Sequence, residues 1–463
     1  MGCVGRGLQR GRQRLFSSRC QKAPPLTRCW LCHIQPEGCL SNPNPKRNTM
    51  TTQPNIQILP ARSAIRRDGE TLLPVLIRIT APTPVESRRK AHPRLNLALV
   101  LDRSGSMSGD KLEHAKKAAH FAVDQLGDKD RASVIAYDDE VIIYAPSQSA
   151  ANKTALHAAI TSIETNGCTN LHGGWLEGAT QVAAHLDQSA LNRVMLLTDG
   201  LANEGVTDPA LITHDVKGLS ARGVSTSTLG VGRDFNEDLL LAMAQSGDGN
   251  FYFIESAADL ERIFALELQG LASQFGQKVS LGVEPREGCE VKDSLNEFAH
   301  NELGRMMLPP LLIGQTIEVA LVLNIAPHVG NREVCAFRFA FDVAGTTGRQ
   351  VVRASLTLPS LSEAEFEAMP ENPQVVAAHA VFQTTRQREE INTYLESGDY
   401  AKAQTHLDEM RVCAAAAPMA PGQLAKEMAA FDALESDIQR QDSQTALKRN
   451  KSEVYERRSS RSR

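Results

Sequence analysis

Residues 95–109 constrain this chain more than any other stretch. An apolar run, LNLALVLD, stops at Asp102 and opens into the loop DRSGSMSG. Residues two apart in an extended loop face the same side, so the hydroxyls of Ser104 and Ser106 point together while Gly105 lets the backbone turn tightly. A carboxylate and two hydroxyls around one point suit a small hard cation. Asp, Ser and Gly are also common turn residues, so this loop alone reads equally well as an ordinary turn after a strand.

Two further segments bear on that choice. NRVMLLTDG, residues 192–200, is a second apolar strand ending in a carboxylate, Asp199, and NGCTNLHGG between the two offers the hydroxyl of Thr169. An Asp-x-Ser-x-Ser loop, a Thr within G-x-T-N-L and a strand ending Thr-Asp-Gly, in that order, resemble a von Willebrand factor A (VWA) domain over roughly residues 94–274. Three ordered motifs are far more specific than one. The resemblance implies a metal-ion-dependent adhesion site on Asp102, Ser104, Ser106, Thr169 and Asp199. It implies that the three hydroxyls ligate the metal, that the two carboxylates act through water or hydrogen bonds, and that a partner's Asp or Glu completes the shell. Mg²⁺ is the expected cation, with Mn²⁺ as a substitute, because both accept hard oxygen ligands. Where many relatives have Gly-Gly-Thr, this chain has Gly167, Cys168 and Thr169, and a side chain at Cys168 narrows the loop's conformations.

The flanking pattern points to the same fold class. Apolar residues at helical spacing on 111–126 are followed by short strands at 131–137 and 141–144, helices at 153–163 and 171–186, and the strand 194–197. A helix at 208–221, a strand at 224–231, a helix at 236–245, a strand at 250–254 and a helix at 257–274 complete the series. Strands alternating with helices predict an α/β fold, a doubly wound, mainly parallel, Rossmann-like sheet. Such sheets bind ligands beyond the strands' carboxyl ends, where strand order reverses.

At 463 residues the chain is long enough for roughly three domains of about 150 residues. Strand-like alternation at 72–79, 278–282, 316–324, 334–342 and 350–358 predicts an antiparallel β-sandwich, residues 50–93 and 276–360, interrupted by the VWA domain at 94–275. This arrangement resembles bacterial VWA proteins related to calcium-activated chloride channel regulators and inter-alpha-trypsin inhibitor heavy chains. Residues 361–448 read as a helical hairpin region, with helices at 373–395, 400–415 and 422–448, packed on the sandwich. ESGDYAKA resembles a tetratricopeptide turn without the repeats of an array. The basic stretch 449–463 reads as a solvated, disordered tail.

Residues 1–49 differ from the rest, with seven Arg and two Lys against one Glu and five of the nine cysteines. Three readings fit: a start upstream of true initiation at Met50, an Arg-rich targeting peptide, or disorder. The remainder is therefore more acidic than the overall charge of −4, which argues against a nucleic-acid role. No apolar run reaches the roughly 18 residues of a membrane span. Scattered Cys168, Cys289, Cys335 and Cys413 fit reduced thiols and a cytoplasmic setting. His114 and His120 lack zinc-protease spacing, and His172 reads as a solvent-facing helix start or a ligand contact.

Two function classes remain. The leading expectation is a noncatalytic module that binds a protein partner through its Asp or Glu carboxylate. The alternative is a metal-dependent hydrolase or phosphoryl-transfer enzyme using the cation as Lewis acid, for which the loops supply no evident general base. Oligomeric state is open.

Overall fold

The structure, a computed structural model, describes residues 53–83, 93–343 and 348–459, and the readings for residues 1–49 fall outside them. β1 (Asn55–Pro60), β2 (Ile65–Arg66) and β3 (Thr71–Thr80) precede a central α/β unit. That unit runs β4 (Arg94–Asp102), α1 (Asp110–Gln125), β5 (Arg131–Tyr137), β6 (Val141–Ser149), α2 (Lys153–Thr161) and α3 (Leu171–Ala183). It continues through β7 (Ala190–Thr198), α4 (Pro209–Ala221), β8 (Ser225–Val231), α5 (Glu237–Ser246), β9 (Phe251–Ile254) and α6 (Leu260–Ala272).

Its sheet has the order β6-β5-β4-β7-β8-β9, parallel except for the β5–β6 pair. Both faces are covered, which is why β4 is continuously apolar from Leu97 to Leu101 instead of alternating. Leu95, Leu97, Leu99 and Leu101 enter the core shared with α1, α2 and α6. Ala98 and Val100 enter the opposite core beneath α3, α4 and α5. α3 lies close against the sheet because it carries glycine where it crosses: a β-carbon at Gly174 would sit 2.4 Å from the Tyr137 ring, and one at Gly178 2.3 Å from Val100 Cγ2.

The chain then forms β10 (Gln274–Pro285), β11 (Cys289–Ser294), β12 (Met306–Met307), β13 (Leu311–Leu312), β14 (Thr316–Ile325), β15 (Asn331–Val343) and β16 (Arg349–Leu361). Two sheets result, β1-β3-β14-β11 and β12-β10-β15-β16-β2, with β13 also on β10. β3 precedes the α/β unit in sequence and β14 follows it, yet they pair antiparallel from Thr71↔Ile325 to Thr80↔Thr316. The two sheets enclose one core containing Val75, Ile77, Val319, Leu321, Phe337 and Phe339.

Helices α7 (Glu363–Glu367), α8 (Pro373–Glu396), α9 (Tyr400–Ala416), α10 (Pro421–Gln439) and α11 (Ser443–Arg458) follow. α8 packs on the first sandwich sheet, where His379 Nε2 meets the Val75 carbonyl at 3.3 Å. The single helix expected over 422–448 is broken. Gln441 takes a left-handed conformation, φ 54°, which ends α10, and the Asp442 side chain accepts the Thr445 N–H at 3.2 Å to start α11. The Asp399 cap between α8 and α9 does the same with Lys402 N–H at 3.1 Å, so two helical hairpins follow each other.

The expected disordered tail at 449–463 is corrected over residues 449–458, which belong to α11, with Asn450, Ser452 and Val454 buried. Charge complementarity orders them: Lys451 pairs with Asp238 at 2.8 Å, Arg449 with Glu255 at 2.5 Å, and Arg457 with Glu427. Tyr455 Oη donates to the Gly249 carbonyl at 3.1 Å, and Lys448 Nζ donates to the Phe235 carbonyl at 2.7 Å. α11 thus binds the α/β unit directly.

Gly178→Ala tests the close crossing of α3. Helix propensity favours Ala by about 1 kcal/mol, but forcing a methyl into a filled contact costs about 1–3 kcal/mol. The expected outcome is a lower urea midpoint with an unchanged m-value.

Candidate functional site

β4 and β7 are adjacent parallel strands, in register from Arg94↔Ala190 to Leu101↔Leu197. β5 lies on the other side of β4, so strand order reverses between β4 and β7, the position where open α/β sheets leave a crevice. Both strands release a carboxylate there. Asp102 and Asp199 are each fully buried. Thr198 Oγ1 donates to Asp102 Oδ2 at 2.6 Å, and Ser104 N–H donates to Asp102 Oδ1 at 2.9 Å.

The loop hydroxyls converge on the second acid. Ser104 Oγ lies 3.1 Å from Ser106 Oγ, which donates to Asp199 Oδ1 at 2.7 Å. Thr169 arrives on a separate loop. Its Oγ1 and the Ser106 Oγ lie 3.3 and 3.7 Å from where a β-carbon would stand on Gly200, so glycine at 200 leaves room for both. All five sequence-predicted residues therefore gather at one end of the sheet.

Several residues that the sequence reading did not single out hold these loops. Arg103 and Asp138 form a buried ion pair at 2.7 Å, while Arg103 N–H donates to the Tyr137 carbonyl and Asn166 N–H to the Arg103 carbonyl, both at 2.8 Å. Asn203 Oδ1 accepts the Thr169 N–H at 2.9 Å. The left-handed conformation needed in the Thr169 loop falls on Gly167, φ 58°, where a β-carbon would collide with Asp139 Oδ1. Cys168 is not among the positive-φ residues, so its side chain does not strain the loop. His172 is buried, contrary to a solvent-facing helix start. Its Nε2 lies 3.0 Å from Asp215 Oδ2 and its ring 5.7 Å from that of Trp175.

The electrostatics leave negative charge partly uncompensated. Lys111 Nζ donates to Asp199 Oδ2 at 2.5 Å, and among the described residues no basic side chain pairs with Asp102. Burial raises the Asp102 pKa to about 6, with Asp199 adding to the rise and hydrogen bonds from Ser104 and Thr198 opposing it. Two buried carboxylates and three hydroxyl oxygens form a donor set that fits a hard divalent cation, with the Lys111 ammonium held on one of the carboxylates. It is a set without His or Cys, and among the described residues no group of three His, Cys, Asp or Glu side chains that could hold a metal occurs.

Residues 96–266 match the family model of the von Willebrand factor type A domain, a family whose members are commonly protein-interaction modules. Over 195 residues the chain is 32% identical to the uncharacterized protein YfbK of Escherichia coli (strain K12), a match covering 42% of this chain and 34% of that one. It is 29% identical to inter-alpha-trypsin inhibitor heavy chain H3 of Homo sapiens over 41% of this chain and 22% of that one. The chain thus spans well under half the length of these relatives. Among solved structures it is similar to a von Willebrand factor type A protein from Catenulispora acidiphila, with a TM-score of 0.64 and 16% identity over 85% of this chain and 90% of that one. That likeness of fold extends beyond the α/β unit. Among the described residues no helix is long and apolar enough to cross a membrane.

A carboxyl whose folded pKa is raised contributes stability below its unfolded value near 3.8, and that contribution is lost as pH rises through about 6. In EDTA, the thermal midpoint of the unmodified chain should therefore fall relative to that of Asp102→Asn as pH is raised from 4 to 7. Parallel profiles for the two proteins would remove the assignment of that cost to Asp102.

Proposed function

We propose that this chain is a noncatalytic protein-binding module whose Asp102, Ser104, Ser106, Thr169 and Asp199 hold Mg²⁺, or Mn²⁺ in its place, and that the cation recruits an Asp or Glu of a partner protein. The observation that carries this reading is the grouping of the Ser104 and Ser106 hydroxyls beside Asp199, with the Thr169 hydroxyl next to Gly200, at the β4–β7 crevice. The three hydroxyls would hold the ion and the two carboxylates would balance its charge. Mg²⁺ favours six oxygen ligands and retains exchangeable water. Neutral hydroxyl donors leave it strongly attractive to an incoming carboxylate, so affinity for a partner would arise at the metal and specificity around it.

The enzymatic alternative needs a base free to activate water. Asp102 is already engaged by Ser104 and Thr198, and Asp199 by Ser106 and Lys111. Both acids are thus committed to holding the loops.

Lys111 has a defined part in this scheme. Its ammonium sits on Asp199, where it competes with a second positive charge. Lys111→Met is expected to tighten Mg²⁺ binding several-fold by isothermal titration calorimetry, whereas Lys111→Arg should not.

Partner capture tests the central reading. The chain, immobilised and washed in Mg²⁺ or in EDTA, should retain a partner only with the metal. Asp102→Ala and Thr169→Ala should each abolish retention while circular dichroism remains that of the folded chain. Equal capture in EDTA would overturn the proposal, and metal-dependent turnover of a phosphoester without capture would favour the enzyme.

A further inference from the structure

The outer face of the second sandwich sheet carries a group of arginines with no part in the metal-site reading. Gly282 of β10 lies opposite Arg338 of β15, and Arg338 lies opposite Arg353 of β16. These positions share the face turned away from Phe337 and Phe339, which are buried in the sandwich core. Arg305 folds across the same face, since a β-carbon on Gly282 would stand 3.5 Å from its Cγ and 3.7 Å from its Nε. Arg349 sits further along, opposite Asp342.

Like charges directly opposite on neighbouring strands destabilise a sheet, and here the counter-charge runs short. Asp342 pairs with Arg349 at 3.1 Å and Glu284 with Arg353 at 3.8 Å. Among the described residues neither Arg305 nor Arg338 has an ion-pair partner, and the buried Nη1 of Arg338 has no hydrogen-bond acceptor. Burial and the charges of Arg305, Arg353 and Arg349 hold the Arg338 pKa below the usual arginine value, opposed only in part by Glu284. Gly282 of β10 and Ala336 and Ala340 of β15 are the small residues next to Arg338 on this face, while Val351 of β16 separates Arg353 from Arg349.

We propose that this face binds a phosphate-sized oxyanion, free or as a phosphate monoester, held by Arg305 and Arg338 with Arg353 beside them. A guanidinium offers a planar fork of donors matched to phosphate oxygens. The anion would satisfy the orphaned Arg338 donor and relieve the Arg338–Arg353 repulsion together.

The test uses the full chain in EDTA, so that its result is independent of the metal-site reading. Thermal unfolding is followed in sodium phosphate, in O-phosphoserine, and in sodium chloride matched for ionic strength, with calorimetric titration of both phosphates. The expected result is a phosphate-specific rise in midpoint and at least tenfold weaker binding in Arg338→Gln and Arg305→Gln. Arg338→Gln should also raise the midpoint in chloride, because it removes a like-charge contact, whereas a merely structural arginine would lower it. Comparable binding of both phosphates, or of either alone, supports the site and identifies the form it takes. No phosphate-specific effect in the unmodified chain, or binding that survives both substitutions, overturns it.

Discussion

The parallel pairing of β4 with β7 is the constraint on which the candidate site depends. It brings together two carboxylates distant in sequence and ends both strands at the same level, where the Thr198 hydroxyl donates to Asp102. Their burial is unfavourable in itself, because taking charge out of water costs several kcal/mol per ion unless it is balanced. Hydrogen bonds from Ser104 and Ser106 on the loop and from Lys111 on α1 supply part of that balance. Arg103 and Asp138 then fix the first loop against the β5–β6 turn, and Asn203 ties the Thr169 loop to the one after Asp199. The site is rigid because each loop is bonded to another as well as to the sheet.

Much of the α/β unit was legible because its signals are local and repeated. An apolar run bounded by a carboxylate marks a buried strand wherever it occurs, and β4 and β7 both show it. The five candidate residues could be singled out because they carry a spaced pattern of oxygen donors. Their supports could not: Arg103, Lys111 and Asn203 are ordinary polar residues whose partners become neighbours only through the fold. β1 escaped notice because NIQILP is short and its pairing with β3 is the evidence for it. The basic C-terminal stretch was misread for a related reason. Charge composition describes a chain in isolation, whereas Arg449, Lys451 and Arg457 meet carboxylates from α5, α10 and the segment after β9.

That last helix changes how the parts are connected. In sequence the α/β unit follows β3 and precedes β10, so it is an insertion between two strands of the sandwich. α11 adds a non-covalent hold elsewhere on it: the Lys448 ammonium reaches Glu237 at 2.5 Å and lies 4.3 Å over the Phe235 ring. Lys448 is nearly fully buried, so its ion pair is shielded from salt in a way that exposed pairs are not. A unit held at several points has little freedom to swing relative to the sandwich, and a partner docking at the β4–β7 crevice would meet a surface fixed with respect to the arginine face.

Both proposed sites attract anions, yet most of this chain is acidic. Outside residues 1–49 the charge balance is more negative than the overall −4, so an acidic partner approaching at random meets net repulsion. At physiological ionic strength that repulsion is screened beyond about 8 Å, and attraction then depends on charge concentrated at short range. A divalent ion bound as proposed beside the buried carboxylates would be one such concentration, and the group of under-compensated guanidiniums is another. The acidic background weakens nonspecific association with other anions, while the local positive centres retain their pull on a ligand that fits. Selectivity would then follow from contrast between site and surroundings, which requires that the metal site keep its neutral hydroxyl donors and that the arginine face keep its shortage of acids.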